Sequence, residues 1–136
     1  MIIEKTEFDG ETMGPLIDNE FNKYARKFDV VCDYQDFCFV AREGNEIMGI
    51  IVGHSYYKEV HIADLIVTEK FRGQDIGTHL IKRVEEEFKG GRFENLNLST
   101  YAFQAPEFYK KMGFEVEYVR ESSDEKLKKY FLIKHL

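Results

Sequence analysis

Val67-Thr68-Glu69-Lys70-Phe71-Arg72-Gly73-Gln74-Asp75-Ile76-Gly77-Thr78 joins two segments of different period. Before it, Val60 to Val67 is apolar at nearly every position, as expected of a strand buried on both faces at the centre of a sheet. After it, Ile76, Leu80, Ile81, Val84 and Phe88 recur at helical spacing, while Lys82, Arg83, Glu85, Glu86 and Lys89 face away. Gly90-Gly91 supplies a left-handed stop, and Leu96 to Thr100 returns as a strand. Strand, helix and strand in this length make a βαβ crossover with parallel strands. The turn offers the free N–H groups of a helix start, and it carries glycine where backbone has to approach a ligand. Such a turn suits a pyrophosphate. Any strand-to-helix turn can also hold glycine for purely structural reasons, so the pattern alone leaves both readings open. The chain has no G-x-x-x-x-G-K-[ST] and no G-x-G-x-x-G, which removes an ATPase loop and a dinucleotide fingerprint.

Outward from this unit, Phe37 to Arg42 and Ile47 to Gly53 are β-branched and aromatic runs on either side of Glu43-Gly44-Asn45-Glu46, and they read as a hairpin. Pro106 and Gly113 bracket a short helix, Pro106 to Met112. Phe114 to Val119 and Tyr130 to Lys134 form a closing hairpin around a charged, solvated loop, Arg120 to Lys129. Glu11 to Phe28 has apolar residues near helical spacing, interrupted by Gly14-Pro15, which predicts one or two helices. Ile2 to Glu7 reads as an N-terminal strand. No repeat, low-complexity tract or linker interrupts residues 1–136, so one α/β domain is expected.

With 136 residues, 43% of them hydrophobic, the chain is long enough for one core and short for two. No apolar run approaches the roughly 18 to 20 residues that span a bilayer, and the first residues lack a signal-peptide pattern. A soluble cytoplasmic protein with no membrane partner is expected. Cys32 and Cys38 have neither disulfide-framework nor zinc spacing, so no metal site is indicated. A formal net charge of −6 argues against nucleic acid as the main partner and suits a cationic small molecule or basic peptide. It equally suits plain solubility.

Arg72-Gly73-Gln74-Asp75-Ile76-Gly77, after a strand ending at Val67, resembles the acetyl-CoA signature of GNAT N-acetyltransferases, Q/R-x-x-G-x-G/A. Phe108-Tyr109-Lys110-Lys111-Met112-Gly113-Phe114 resembles the family's C-terminal Y-x-K-x-G-F segment. The resemblance covers roughly residues 37 to 119. It implies a GNAT-like mixed α/β (α+β) fold: a mostly antiparallel central sheet flanked by helices, with a βαβ acyl-CoA-binding unit. It also implies acetyl-CoA as cosubstrate and direct attack of a primary amine on the thioester. The cosubstrate would be held by Leu65, Ile66, Val67, Arg72, Gly73, Gln74, Asp75, Ile76, Gly77 and Thr78. Asp75 stands where the family usually has glycine. A carboxylate there repels phosphates unless it points away, and capping of the helix is the expected role.

The resemblance assigns Tyr109 as the general acid for the leaving thiolate; a packed, hydrogen-bonded tyrosine is the plain alternative. His61, six residues before Val67, matches a position where some family members carry a glutamate base, and its usual pKa suits proton acceptance. Asp64 resembles an acidic residue common in that strand. Simple alternation puts His61 and Asp64 on opposite faces, so only one of them faces the acceptor. Both are also compatible with ordinary strand side chains and a water chain as base. In a protein of this family, backbone N–H groups around Leu65 to Val67 would polarise the acetyl carbonyl. Ala102 aligns with a common family asparagine, so the contact to the cofactor arm either comes from Gln104, in a segment with Tyr101 and Phe103, or is absent.

In this fold the acceptor site is usually built from the first helices, here Glu20 to Asp36, where Asp29, Asp33 and Asp36 would favour a cationic amine or be merely solvated. A non-catalytic acyl-CoA-binding or regulatory module is the competing function. An exposed edge at Tyr130 to Lys134 would permit a homodimer, or a monomer whose edge Lys134 discourages association.

Overall fold

In this computed structural model, which describes all residues Met1–Leu136, two compact units are present, residues 1–33 and 34–136. The first unit holds one helix, α1 (Met13–Arg26). Gly14 and Pro15 do not break it, because they fall in its first turn, where no backbone N–H needs an intrahelical acceptor. Asp9 leads into it through its carboxylate, which accepts from Glu11 N–H at 3.1 Å. The strand expected at Ile2 to Glu7 is not formed; those residues have no regular secondary structure and join no ladder of the sheet.

The second unit is a six-stranded sheet with two helices: β1 (Gln35–Glu43), β2 (Glu46–Tyr56), β3 (Glu59–Val67), α2 (Ile76–Phe88), β4 (Asn95–Tyr101), α3 (Pro106–Lys111), β5 (Glu115–Arg120) and β6 (Lys129–His135). The strand order is β1-β2-β3-β4-β6-β5. Only β3 and β4 are parallel, and they are the pair joined by α2. The fold class is therefore mixed α/β with a mostly antiparallel sheet, as expected. The loop from Arg120 to Lys129 contains a short 3-10 turn, Glu125–Leu127, capped by the Asp124 carboxylate on Lys126 N–H.

One face of the sheet packs on α2 and α3. Ile51, Val60, Leu96 and Leu132 are fully buried there, with Ile81 and Val84 of α2 opposite them. The helix passes close to β2: a Cβ at Gly49 would stand 3.1 Å from both Ile76 Cγ2 and Leu80 Cδ1. Lys134 is not at an edge, because β6 lies between β4 and β5. Its ammonium instead donates to Glu85 Oε1 of α2 at 2.6 Å and to Met112 O at 2.7 Å. The exposed edges are β1 and β5.

The strand β3 departs from the expectation of burial on both faces. Ala63, Asp64 and Ile66 are exposed. Gly53 pairs with Ile62 and Val52 with Asp64, so Ala63 is an extra residue, a β-bulge. A bulge shifts alternation by one. Val60 and Ile62 face the core before it, Leu65 and Val67 after it. His61 and Asp64 consequently lie on the same face, opposite the core, and the expectation from strict alternation is corrected. Their partners on β2, His54 and Val52, are two residues apart and confirm the shared face.

Candidate active site

Pairing between β3 and β4 is confined to Glu59↔Asn95, Val60↔Leu96 and His61↔Asn97. Beyond that last rung the two strands part. The gap opens into a cleft of about 920 Å³ that lies between the C-terminal half of β3, the start of α2 and the segment leading into α3. Such a fork between the carboxyl ends of parallel strands is where α/β proteins place ligands, since backbone groups there lack a neighbouring strand.

Leu65, Ile66 and Val67 line one wall. The floor is the turn and first helical residues: Arg72, Gly73, Asp75, Ile76, Gly77 and Thr78. Gly73 has φ 80° and Asp75 φ 61°, so two residues of this turn are left-handed. His79 N–H donates to Asp75 O at 3.0 Å, which leaves the amides of Ile76 to Thr78 as the orphan donors of a helix start. Arg72 Nε donates to Val67 O at 3.1 Å and ties the turn back to the strand end, with the rest of its guanidinium on the cleft. Gln74 does not line the cleft.

Asp75 does not cap α2 with its side chain, contrary to expectation. An N-cap residue normally sits in the extended region, whereas this turn needs a left-handed residue, so the carboxylate has no line to the N2 or N3 amide. Aspartate is among the few non-glycine residues that tolerate this conformation. Gly77 has a second reason to be glycine: a Cβ there would come within 3.2 Å of Phe108 Cζ, so its smallness lets α2 pack against α3.

The opposite wall is Phe103, Gln104, Ala105, Phe108 and Tyr109, with Lys111 and Met112. Tyr109 is 8% exposed, edge-on to Phe108 and Phe114, and burial pushes its hydroxyl up to about 12, so it stays protonated at neutral pH. Gln104 Oε1 accepts from Tyr101 N–H at 2.9 Å and Thr100 Oγ1 at 3.3 Å. Its carbonyl thus closes the end of β4, and only its Nε2 amide is left to meet a ligand.

His61 and Asp64 are not among the residues lining this cleft. They lie on the other face of β3. His61 sits at the last rung before the fork and bonds Asn97 through Nδ1 at 2.8 Å. His54 packs 5.2 Å from it, ring to ring, and stacks on Tyr34 at 5.0 Å. Burial, with the His61 ring adding to it and Asp36 opposing, holds His54 below the usual histidine range. Asp36 pairs with His54 in register and shares that face. Asp29 and Asp33 have positive φ, 57° and 49°, as turn-forming residues do.

Sequence reasoning missed Phe71, Phe108, Lys111 and Met112 as cleft residues, Asn97 as the partner of His61, and Glu59 as the partner of Asn97. For Asn97 there was a signal: Asn95 and Asn97 alternate with Leu96 and Leu98, which marks a polar face on an interior strand. No group of histidine, cysteine, aspartate and glutamate side chains is arranged to hold a metal ion. No helix is long and apolar enough to cross a membrane.

The chain is 34% identical over 84 residues to the blasticidin-S acetyltransferase of Streptomyces morookaense, an alignment covering 57% of this chain and 58% of that relative's length. A crystal structure of an acetyltransferase from Bacillus cereus superposes with a TM-score of 0.77 at 27% identity, covering 98% of both chains. One from Agrobacterium tumefaciens has the same fold, with a TM-score of 0.84 at 22% identity over 100% of this chain and 99% of that one. The model of the acetyltransferase (GNAT) family matches residues 5–114, which takes in the fork, the turn and the Tyr109 helix. The chain belongs to the acetyltransferase (GNAT) family.

Proposed function

We propose that this chain transfers acetyl from acetyl-CoA to a primary amine of a small molecule or peptide by direct attack, with Tyr109 as general acid and His61 as general base. The observation that carries this is the fork between β3 and β4, which opens beside both a helix start with orphan amides and a buried, protonated tyrosine. The pyrophosphate of the cosubstrate rests on the amides between Gly73 and Thr78, with the Arg72 guanidinium alongside. Its arm lies in the gap as a strand would, bonding backbone between Leu65 and Val67 on the side that no longer pairs with β4, and the Gln104 amide. The N–H groups of that strand polarise the thioester carbonyl.

Alignment of two reactants supplies much of the rate, and no covalent intermediate is needed. The amine nitrogen bonds to the carbonyl carbon and gives up a proton. The C–S bond then breaks, and its electron pair goes to sulfur, which takes a proton from the Tyr109 hydroxyl. Burial makes this phenol a weaker acid, but it also raises the basicity of a thiolate formed in the same cleft, so donor and acceptor stay matched. Asp36 and Asp64 share the sheet face of His61 and favour a cationic amine. The acetyltransferase relative named for blasticidin-S supports a small-molecule acceptor.

The test is CoA release from acetyl-CoA across polyamines, aminoglycosides, amino acids and N-terminal peptides. Turnover of at least one amine is expected. Cofactor binding with no turnover of any class would instead support a non-catalytic acyl-CoA-binding module.

A further inference from the structure

We infer that Glu59 and Asn97 lock His61 in the Nδ1–H form, so that its Nε2 lone pair is the site that takes the amine proton; this rests on the reading of His61 as base. His61 and Asn97 form the last rung before β3 and β4 part, and both side chains point away from the core. Asn97 Nδ2 donates to Glu59 Oε1 at 3.1 Å and to Asn95 Oδ1 at 2.9 Å. A carboxylate only accepts, so the amide nitrogen of Asn97 has to face Glu59, and its oxygen has to face the imidazole. That oxygen lies 2.8 Å from His61 Nδ1. An amide oxygen cannot donate. Nδ1 therefore carries the proton, and neutral His61 holds its lone pair on Nε2.

The arrangement is directional from end to end: a fixed negative charge orients an amide, and the amide fixes a tautomer. The charged groups around it are few. Glu59 acts through Asn97 from the same strand, Asp64 shares the face of His61 beyond the bulge, His54 faces His61 from β2, and Asp36 faces His54 from β1. Proton balance closes with one exchange. Nε2 takes the proton released by the amine, sulfur takes the Tyr109 proton, and water carries a proton from His61 back to Tyr109. Glu59 and Asn97 are positioning residues, since neither reaches the reacting atoms.

Ring nitrogen NMR on the histidine-labelled protein at a pH where His61 is neutral reads the tautomer directly, and the signals lost in His61→Gln assign it among the four histidines. The wild type should show Nδ1 protonated and Nε2 bare. Asn97→Leu should mix or reverse the two forms and lower kcat by roughly 10-fold or more on the best amine of the panel, with the KM for acetyl-CoA unchanged. The Asn97→Asp Glu59→Gln double variant restores an acceptor for Nδ1–H and should recover both the tautomer and the rate; it also carries the test if Asn97→Leu does not fold. A bare Nδ1 in the wild type, or an Nδ1–H form that persists in Asn97→Leu, overturns the inference. Normal turnover by His61→Gln overturns the base role instead, and leaves the tautomer as measured.

Discussion

Asp75→Gly is expected to tighten CoA binding through charge and to leave the fold nearly unchanged. Asp75 is exposed at φ 61° and ψ 19°, and its side chain makes no capping bond, so no native interaction is lost. Left-handed backbone costs an L-residue about 1 kcal/mol or somewhat more, less for aspartate. Glycine removes that strain but adds about 0.4 to 1 kcal/mol of unfolded-state entropy. The net change in stability should lie within about 1 kcal/mol of zero.

For binding, a carboxylate about 6 Å from a phosphate in water opposes it by about 0.7 kcal/mol per charge. Two phosphate charges make about 1.4 kcal/mol, reduced by screening to about 0.6 at 0.15 M salt and about 1.1 at 0.01 M. The variant should therefore bind CoA about 3-fold more tightly than the wild type at 0.15 M salt and about 7-fold at 0.01 M. Titration calorimetry at both salt concentrations, with pantetheine as a phosphate-free comparison, measures this. An affinity ratio that does not grow as salt falls, or an equal gain for pantetheine, would refute the placement of the pyrophosphate on this turn.

Tyr109→Phe should lower kcat by about 100-fold or more with little change in acetyl-CoA affinity, read by steady-state kinetics and calorimetry. Its stability should also depend less on alkaline pH. The wild-type hydroxyl titrates at about 12 when folded and near 10 when unfolded, so its contribution is intact below pH 10 and falls as the unfolded chain alone loses the proton. Urea unfolding should show the wild type losing about 1.4 kcal/mol more than the variant by pH 11; equal losses would mean that the tyrosine is not desolvated. Lys134→Met strands the half-buried Glu85 carboxylate and the Met112 carbonyl, and should cost about 3 kcal/mol in urea unfolding, partly recovered in combination with Glu85→Gln. Gly53→Ala would drive a methyl into the His61 carbonyl oxygen and to 2.6 Å from Phe37 Cζ, and should destabilise by about 3 kcal/mol or more. A wild-type urea midpoint for that variant would show that β2 and β3 yield easily.

The βαβ unit was legible because the hydrophobic period changes from two to 3.6 across a single turn, and a stripe such as Ile76, Leu80, Ile81 and Val84 has one way to be buried. The helix that carries Tyr109 was legible because it begins at a proline and is followed by a left-handed glycine, Gly113 with φ 96°. Three features were not legible, each for a reason of context. Asp75 looked like a cap because composition does not display φ. Tyr130 to Lys134 looked like an edge because strand order is decided by long-range pairing. Ile2 to Glu7 looked like a strand, but two isoleucines ahead of a charged run are a weak local signal, and pairing is decided by tertiary context.

The least legible feature has the widest consequences. The extra residue in β3, Ala63, comes two positions after His61, the last residue to pair with β4. A bulge bends its strand and increases the local twist. Here that bend begins where the ladder to β4 ends, so the same irregularity that turns Asp64 onto the face of His61 also draws β3 away from β4 and opens the fork. Gly53 is what permits it, since a side chain at that position would collide with the His61 carbonyl across the pair. The cleft proposed for the cosubstrate and the shared face of the proposed base and its neighbouring carboxylate are therefore one structural event, set by a glycine that lines neither.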